Sequence, residues 1–273
     1  MAMGLQQLIS RLRRTWYFTP GPNDVFLASF PRSGNTWLRA IFGALAVQRP
    51  IKSIEELDCI VPEDEVPVAR WRLASASLYF VKTHASYLWK RQDFALARGL
   101  IYVVRDPRDV VLSHYHYLRG FHDYVDELPA FIDDWLAGRI FPGSWLQHVR
   151  SWTDSGPSRH PRLVTVRYED LRQNCEGEIG RLCRLLSLPY PQDQIHSAVE
   201  QATLAEMKKK EAGGMRLGEQ RRGFSFINQG NVGGWQTALT PALLARLERD
   251  CSDGMTRFGY RRVTEDPAAG VPQ

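Results

Sequence analysis

"FLASFPRSGNTW", residues Phe26 to Trp37, passes from an apolar run into a turn rich in Pro, Ser, Gly and Asn, and then into a helical pattern. A strand, turn and helix start in that order aim successive backbone N–H groups and a helix N-terminus at one spot, which makes an anion site whatever the anion is. Against the triphosphate-binding pattern G-x-x-x-x-G-K-[ST], the stretch reads Ser29-Phe-Pro-Arg-Ser-Gly34-Asn35-Thr36. Serine stands for the first glycine and asparagine for the lysine. Ser33, Asn35 and Thr36 add side-chain donors, and Arg32 adds a cation. The lysine that reaches the outer phosphates is missing, and no acid stands ready at a neighbouring strand end to hold magnesium. Asp106, the nearest, lies between Arg105 and Pro107 as a helix cap does.

The loop therefore reads as tuned for less charge than a triphosphate–magnesium complex. A sulfuryl group fits, since a sulfate ester carries one negative charge where a phosphate monoester carries up to two, and metal assistance becomes dispensable. Outward from the loop lie three more short apolar runs, "SLYFVKT" from 77, "LIYVVR" from 100 and "RLVTVRY" from 162. Nearly continuous and separated by helical patterns, they predict buried strands of a parallel sheet. Helices are expected at 35–48, 107–119, 127–138, 144–154, 169–187 and 241–252. The fold expected is α/β, a three-layer P-loop-like arrangement with a central parallel β-sheet flanked by helices.

A chain of 273 residues, 44% hydrophobic and 24% charged, is long enough for one large domain, expected over 21–264. Leu5, Leu8, Ile9, Leu12 and Trp16 recur at helical spacing and predict an N-terminal amphipathic helix within 1–20; residues 265–273 read as a flexible tail. The net charge of +5 suits a polyanionic ligand or a solvated basic surface. The four cysteines show neither C-x-x-C nor metal-finger spacing. No apolar stretch approaches the roughly 18 residues of a membrane span, and no signal-peptide region opens the chain. A cytoplasmic protein is expected.

From Val25 to Tyr260 the motifs resemble the sulfotransferases that use 3′-phosphoadenosine 5′-phosphosulfate, in particular the cytosolic type. The opening stretch is similar to their 5′-phosphosulfate loop, with Arg32 where the family usually has lysine and Asn35 where it has threonine. The resemblance implies that Arg32, Ser33, Gly34, Asn35 and Thr36 hold the 5′ side, with Trp37 against the adenine. "VVRDPRDVVLSHYHY" looks like the second signature, and implies that Arg105 and Ser113 grip the 3′-phosphate. "FVKTH" at 80–84 resembles K-[TS]-H, which makes His84 the general base and Lys82 its cationic neighbour. By the same likeness Tyr168 of "VRYEDL" contacts the adenine and Thr203 takes its place in a T-S-F-x-x-M motif, where Ala205 replaces the phenylalanine. "GSWLQHVRSW" at 143–152 resembles the helix after the substrate-proximal segment. The last motif, R-K-G-x-x-G-D-W-K in the family, appears as Asn228-Gln229-Gly230-Asn231-Val232-Gly233-Gly234-Trp235-Gln236. Asn228, Gln229 and Gly230 then offer hydrogen bonds in place of two cations, and Arg221 and Arg222 are candidates to restore the charge. The family's dimerisation pattern is absent, Gln236, Thr240, Pro241 and Ala245 standing in it, so the oligomeric state is left open.

The implied chemistry is in-line sulfuryl transfer to a hydroxyl or amine, releasing adenosine 3′,5′-bisphosphate, with no metal. His84 takes the proton, while Lys82 and Arg32 stabilise the bridging oxygen. The alternatives are a sulfotransferase-like nucleotide binder without activity, a P-loop kinase or ATPase, and a polyanion-binding protein suggested by "KKKEAGGMRLGEQRR" at 208–222. Loops 59–76, 85–98, 114–146 and 213–229 build the acceptor pocket. Their aromatic-rich set, Trp71, Tyr87, Trp89, His114, Tyr115, His116, Tyr117, Phe121 and Phe141, suits a small organic molecule, aromatic or natural-product-like, rather than nucleic acid or a long polysaccharide.

Overall fold

The structure, a computed structural model, describes residues 20–64, 78–122, 124–154, 160–212 and 230–263. The expected N-terminal helix and C-terminal tail lie outside the described residues, as do Arg221, Arg222, Asn228 and Gln229. All four expected strands form: β1 (Asp24–Ser29), β2 (Tyr79–Thr83), β3 (Gly99–Val104) and β4 (Leu163–Arg167). They pair in parallel in the order β2-β1-β3-β4. β1 and β3 are buried at every position, because a parallel strand covered by helices on both faces has no solvent side to mark with polar residues.

The described helices are, in chain order, α1 (Asn35–Val47), α2 (Ile54–Ile60), α3 (Tyr87–Ala95), α4 (Pro107–Phe121), α5 (Leu128–Leu136), α6 (Trp145–Thr153), α7 (Tyr168–Gln173), α8 (Cys175–Leu185), α9 (Gln192–Gln201), α10 (Leu204–Ala212), α11 (Trp235–Ala238), α12 (Pro241–Asp250) and α13 (Ser252–Arg257). Successive strand residues point to opposite faces, and this divides the core. Val25, Leu27, Ile101, Val103 and Val166 pack with Leu38, Ile41, Phe42, Ile179, Leu182 and Ile195 of α1, α8 and α9. Phe26, Ala28, Val81, Tyr102 and Val104 pack with Phe94, Val110, Phe131, Trp152 and Leu247 of α3, α4, α5, α6 and α12. The result is the three-layer α/β fold, with the order in which strands are added reversing between β1 and β3. Ligands gather outside the carboxyl ends of strands at such a switch point. No described helix is long and apolar enough to cross a membrane.

The helix expected at 169–187 is two. Asn174 ends α7 and turns its side chain to accept the Gly177 N–H at 3.1 Å, starting α8. Helices α2, α3 and α9 had no counterpart in the sequence reading because their apolar stripes are thin. In α3 both Leu88 and Trp89 are 64% exposed, and in α9 only Ile195 and Ala198 are buried. Helix α10 forms where the charge-rich segment begins, with the Thr203 hydroxyl accepting from Glu206 N–H.

Candidate active site

The four strand ends bring the expected residues together. Arg32 follows β1, His84 follows β2, Arg105 follows β3 and Tyr168 follows β4. Between β1 and α1 the backbone turns through left-handed conformations at Arg32 (φ 66°) and Gly34 (φ 97°). Gly34 is required twice over: its φ disfavours any side chain, and a Cβ there would lie 2.5 Å from Cδ2 of Tyr168. Helix α1 starts with no side-chain cap and no acid in its first turn, so nothing in its first turn competes with an anion for its N–H groups.

Asn35 does not present its amide to that anion site. Its side-chain N–H groups donate to the Leu27 carbonyl at 2.9 Å and to Ser29 Oγ at 3.1 Å, stitching the loop to the strand beneath it. Ser33 is fully buried with an Oγ that has no partner among the described residues, and Nε of Arg105 is likewise unpartnered. Buried donors of this kind are costly unless a ligand or water completes them. The remaining guanidinium nitrogens of Arg105 donate to the carbonyls of Arg32 (3.0 Å) and Asn231 (2.9 Å), and its plane covers the Tyr168 ring at 4.5 Å.

The Arg32 guanidinium donates from Nε to Ser113 Oγ at 3.3 Å and sits 4.9 Å from the Tyr117 ring centroid. Ser113 and Tyr117 are four apart on α4, hence on one face. Burial lowers the Arg32 pKa to about 10, and the nearby Arg105 adds to the shift; the guanidinium stays charged at neutral pH. Lys82 extends from β2 to Oε1 of Glu63 at 2.8 Å. Burial lowers its pKa while Glu63 opposes the shift. Glu63 is held there by edge pairing, since Lys82 N–H donates to the Pro62 carbonyl and Asp64 N–H to the Lys82 carbonyl.

The ring of His84 is fixed by its Nδ1, 2.8 Å from the Ser29 carbonyl oxygen. A carbonyl only accepts, so Nδ1 carries the proton and Nε2 keeps the lone pair. Burial, followed by the charge on Lys82, pushes His84 well below the usual imidazole value, which keeps it neutral and able to receive a proton.

A cavity of about 770 Å³ joins these groups: Arg32, Gly34, Asn35, Thr36, Trp37, Lys82, His84, Arg105, Ser113, Tyr168 and Gly230 all line it. Trp37 and Tyr168 meet edge to face at 6.0 Å, and the Tyr168 hydroxyl donates to the Gly230 carbonyl. Ser33 lies behind the wall, and Thr203 caps α10 while Leu204 and Met207 supply the lining there. His114, His116, Tyr117 and Phe141 also line the cavity, and Phe121 stacks on Tyr117. Tyr87 and Tyr115 instead belong to the core and Trp89 to the surface, which corrects the aromatic set expected from the loops; Trp71 is outside the described residues. Asp106 caps α4 and pairs with Arg108. Among the described residues no group of three or more His, Cys, Asp or Glu side chains could hold a metal ion.

Three contributors had not been singled out. Glu63, Tyr117 as a platform for Arg32, and Asp109 all act through partners distant in sequence. Asp109 accepts the N–H groups of Gly233 (2.8 Å) and Trp235 (3.2 Å), docking the Gly230–Trp235 turn beside Arg105.

Residues 22–259 match the family model described as a sulfotransferase domain. The chain is 25% identical over 266 residues to sulfotransferase 1A1 of the dog, covering 91% of this chain and 88% of the relative. It is 28% identical over 261 residues to human sulfotransferase 2B1, covering 90% and 69%. Two solved structures share the fold at 20% identity. A retinol dehydratase in complex with androsterone and the inactive cofactor PAP superposes with a TM-score of 0.68 over 88% of this chain and 83% of that one. A mouse sulfotransferase complexed with PAP gives 0.67 over 98% and 95%.

Proposed function

The chain belongs to the sulfotransferase domain family, enzymes that draw on 3′-phosphoadenosine 5′-phosphosulfate, and from that premise we propose that it transfers the sulfuryl group to a hydroxyl or amine of a small organic acceptor, with His84 as general base. The observation that carries this reading is the Ser29 carbonyl against His84 Nδ1, which leaves Nε2 basic in a residue lining the same cavity as the anion loop.

The residues fit the donor. The uncapped start of α1 and the spare donors of Arg105 suit two phosphate groups; Trp37 and Tyr168 offer flat walls to a base. We assign Arg32, Gly34 and Thr36 to the 5′ side, with Ser33 behind them in the same turn, Arg105 and Ser113 to the 3′-phosphate, and Gly230, with Asn228 and Gln229, to the closing turn. Asn35 acts from beneath by bracing the loop. When bound, the donor supplies a sulfuryl group on a phosphate leaving group.

His84 Nε2 accepts the proton of the attacking hydroxyl or amine, a contribution of roughly 10²- to 10⁴-fold for general-base catalysis. Arg32 and Lys82 supply positive charge where the leaving oxygen develops negative charge. Neither role needs a metal. Our acceptor is a small organic molecule, given that Tyr117 and Phe141 are part of the cavity lining. Androsterone in the retinol dehydratase complex is an example of the size involved. Four free cysteines accord with a cytoplasmic setting, and we take residues 21–264 as one domain.

The test is incubation with ³⁵S-labelled donor and a panel of phenols, alcohols, amines and sugars, reading sulfated product and released bisphosphate together. Product from at least one acceptor, abolished in His84→Asn with bisphosphate binding kept, is expected. Product from none, or undiminished product from His84→Asn, contradicts the reading.

A further inference from the structure

The main chain of His84 is held as firmly as its ring, and the holder is helix α6. His148 Nε2 lies 3.1 Å from the His84 carbonyl oxygen. Trp152 Nε1–H donates to the Ala85 carbonyl at 3.2 Å, and Tyr87 N–H donates to Ser151 Oγ at 3.1 Å. One buried face of α6 therefore grips the segment that leaves β2 through three side chains. Ser151 Oγ donates in turn to the His148 carbonyl. His148 also has a partner behind it: its Nδ1 is 3.0 Å from the hydroxyl of Tyr102 in the middle of β3. Tyr102 stacks on Trp152 with planes 7° apart. His148 is 2% exposed and Tyr102 is fully buried.

The hydrogen-bond directions are determined. The His84 carbonyl accepts, so His148 Nε2 carries the proton; a neutral imidazole then has its lone pair on Nδ1, which accepts from the Tyr102 hydroxyl. Burial lowers the His148 pKa to about 4 and keeps the Tyr102 phenol protonated, so both groups hold these forms across the neutral range.

We propose that His148, with Tyr102 behind it, is a positioning residue for His84: Tyr102 selects the His148 tautomer whose Nε2–H holds the His84 carbonyl, and that bond sets where the His84 imidazole stands in the cavity. The proposal rests on the reading of His84 as general base. Tyr102, His148 and the Ser29 carbonyl thereby hold His84 from both its main chain and its ring; the His148 ring also meets Phe30, at the start of the nucleotide loop, edge to face at 5.5 Å. Misplacement of a reacting group by about 1 Å can cost on the order of 10²-fold.

The experiment has two arms on the full chain. In the first, ¹⁵N-histidine spectra assign the tautomers of the seven histidines. At pH 7 His148 is expected as the neutral Nε2–H form and His84 as the neutral Nδ1–H form, with Tyr102→Phe mixing the His148 tautomers and shifting the His84 signals. His148 found as the Nδ1–H form or as imidazolium overturns the proposal, as does Tyr102→Phe leaving both sets of signals unchanged. The second arm measures turnover on the best acceptor of the panel for His148→Gln, His148→Asn and His148→Phe. A glutamine amide reaches as far as imidazole Nε2 and an asparagine amide only as far as Nδ1. Glutamine is therefore expected to recover most of the kcat that asparagine and phenylalanine lose, about 10- to 100-fold, with KM for the donor and bisphosphate affinity changed far less than kcat in all three. Equal kcat in the three variants, or a loss confined to donor KM, overturns it. His84→Asn separates the two claims. If it abolishes turnover while His148→Phe keeps the full kcat, positioning fails alone; if His84→Asn is active, the base assignment itself fails.

Discussion

At the scale of single residues, the anion loop depends on Gly34. Its left-handed backbone and the ring of Tyr168 against its Cα leave no space for a methyl group, and forcing a side chain into that conformation costs about 1–3 kcal/mol. Gly34→Ala is expected to lower the melting temperature and abolish calorimetric binding of adenosine 3′,5′-bisphosphate; wild-type affinity would show that the ring of Tyr168 does not define the loop. Arg32 gives a second expectation. Its guanidinium is held by Ser113 and covered by Tyr117, an arrangement suited to a planar cation more than to an ammonium. A double-mutant cycle with Arg32→Lys and Tyr117→Ala on kcat/KM should show coupling of about 1 kcal/mol, and strict additivity would contradict the platform. Arg32, Gly34 and His84 were legible in the sequence because each sits beside a strand end within a local motif. Glu63, His148 and the role of Tyr117 under Arg32 were not, since what they do is set by partners more than fifteen residues away. One local signal for His148 existed: it falls on the buried stripe of Trp145, Val149 and Trp152, where a polar side chain needs partners.

At the scale of elements, the start of α4 organises the nucleotide end. Asp106 caps the helix, Arg108 joins Asp106 to Glu248 and covers Trp235, and Asp109 docks the Gly230–Trp235 turn. Removing the Asp109 carboxylate orphans two N–H groups, at about 1–3 kcal/mol. Asp109→Ala is expected to weaken bisphosphate binding by roughly 10- to 100-fold with little change in kcat at saturating donor; a kcat loss at unchanged affinity would place Asp109 with the chemistry instead. The strands were readable as uninterrupted apolar runs, and so were the helices with wide buried stripes, such as α4 and α6. The break at Asn174 was hidden because α7 and α8 share one helical periodicity, and only the side chain's turn onto Gly177 N–H separates them.

Across the whole molecule, the two-faced sheet buries titratable groups along with its apolar core, and this ties stability to pH. His84, His114 and His148 all have lowered folded pKa values, mainly through burial, His148 to about 4 and His114 to about 3. Unfolded imidazoles titrate near 6.5. Below that value the unfolded chain binds protons that the folded chain refuses, so their contribution is complete above about pH 6.5 and is lost as pH falls toward the folded values. Each costs up to about 1.4 kcal/mol per pH unit within its window. The raised carboxyl pKa values of Asp64, Asp109 and Glu169 act in the opposite sense. Thermal melts between pH 7.5 and 5 should show a falling melting temperature with a shallower slope in His148→Gln; a flat profile would contradict neutral burial of these rings. The α/β class was visible from four apolar runs alternating with helical patterns. The cavity was not, because its walls come from all four strand ends and from α4, whose juxtaposition no local pattern encodes. The central claim is that this cavity is built for a doubly phosphorylated adenosine, and calorimetric titration tests it most directly. Adenosine 3′,5′-bisphosphate should bind without added metal and roughly 10- to 100-fold more tightly than AMP, as expected for charge-assisted bonds to a 3′-phosphate. Equal affinity for AMP, or tighter binding of magnesium–ATP than of the bisphosphate, would contradict it.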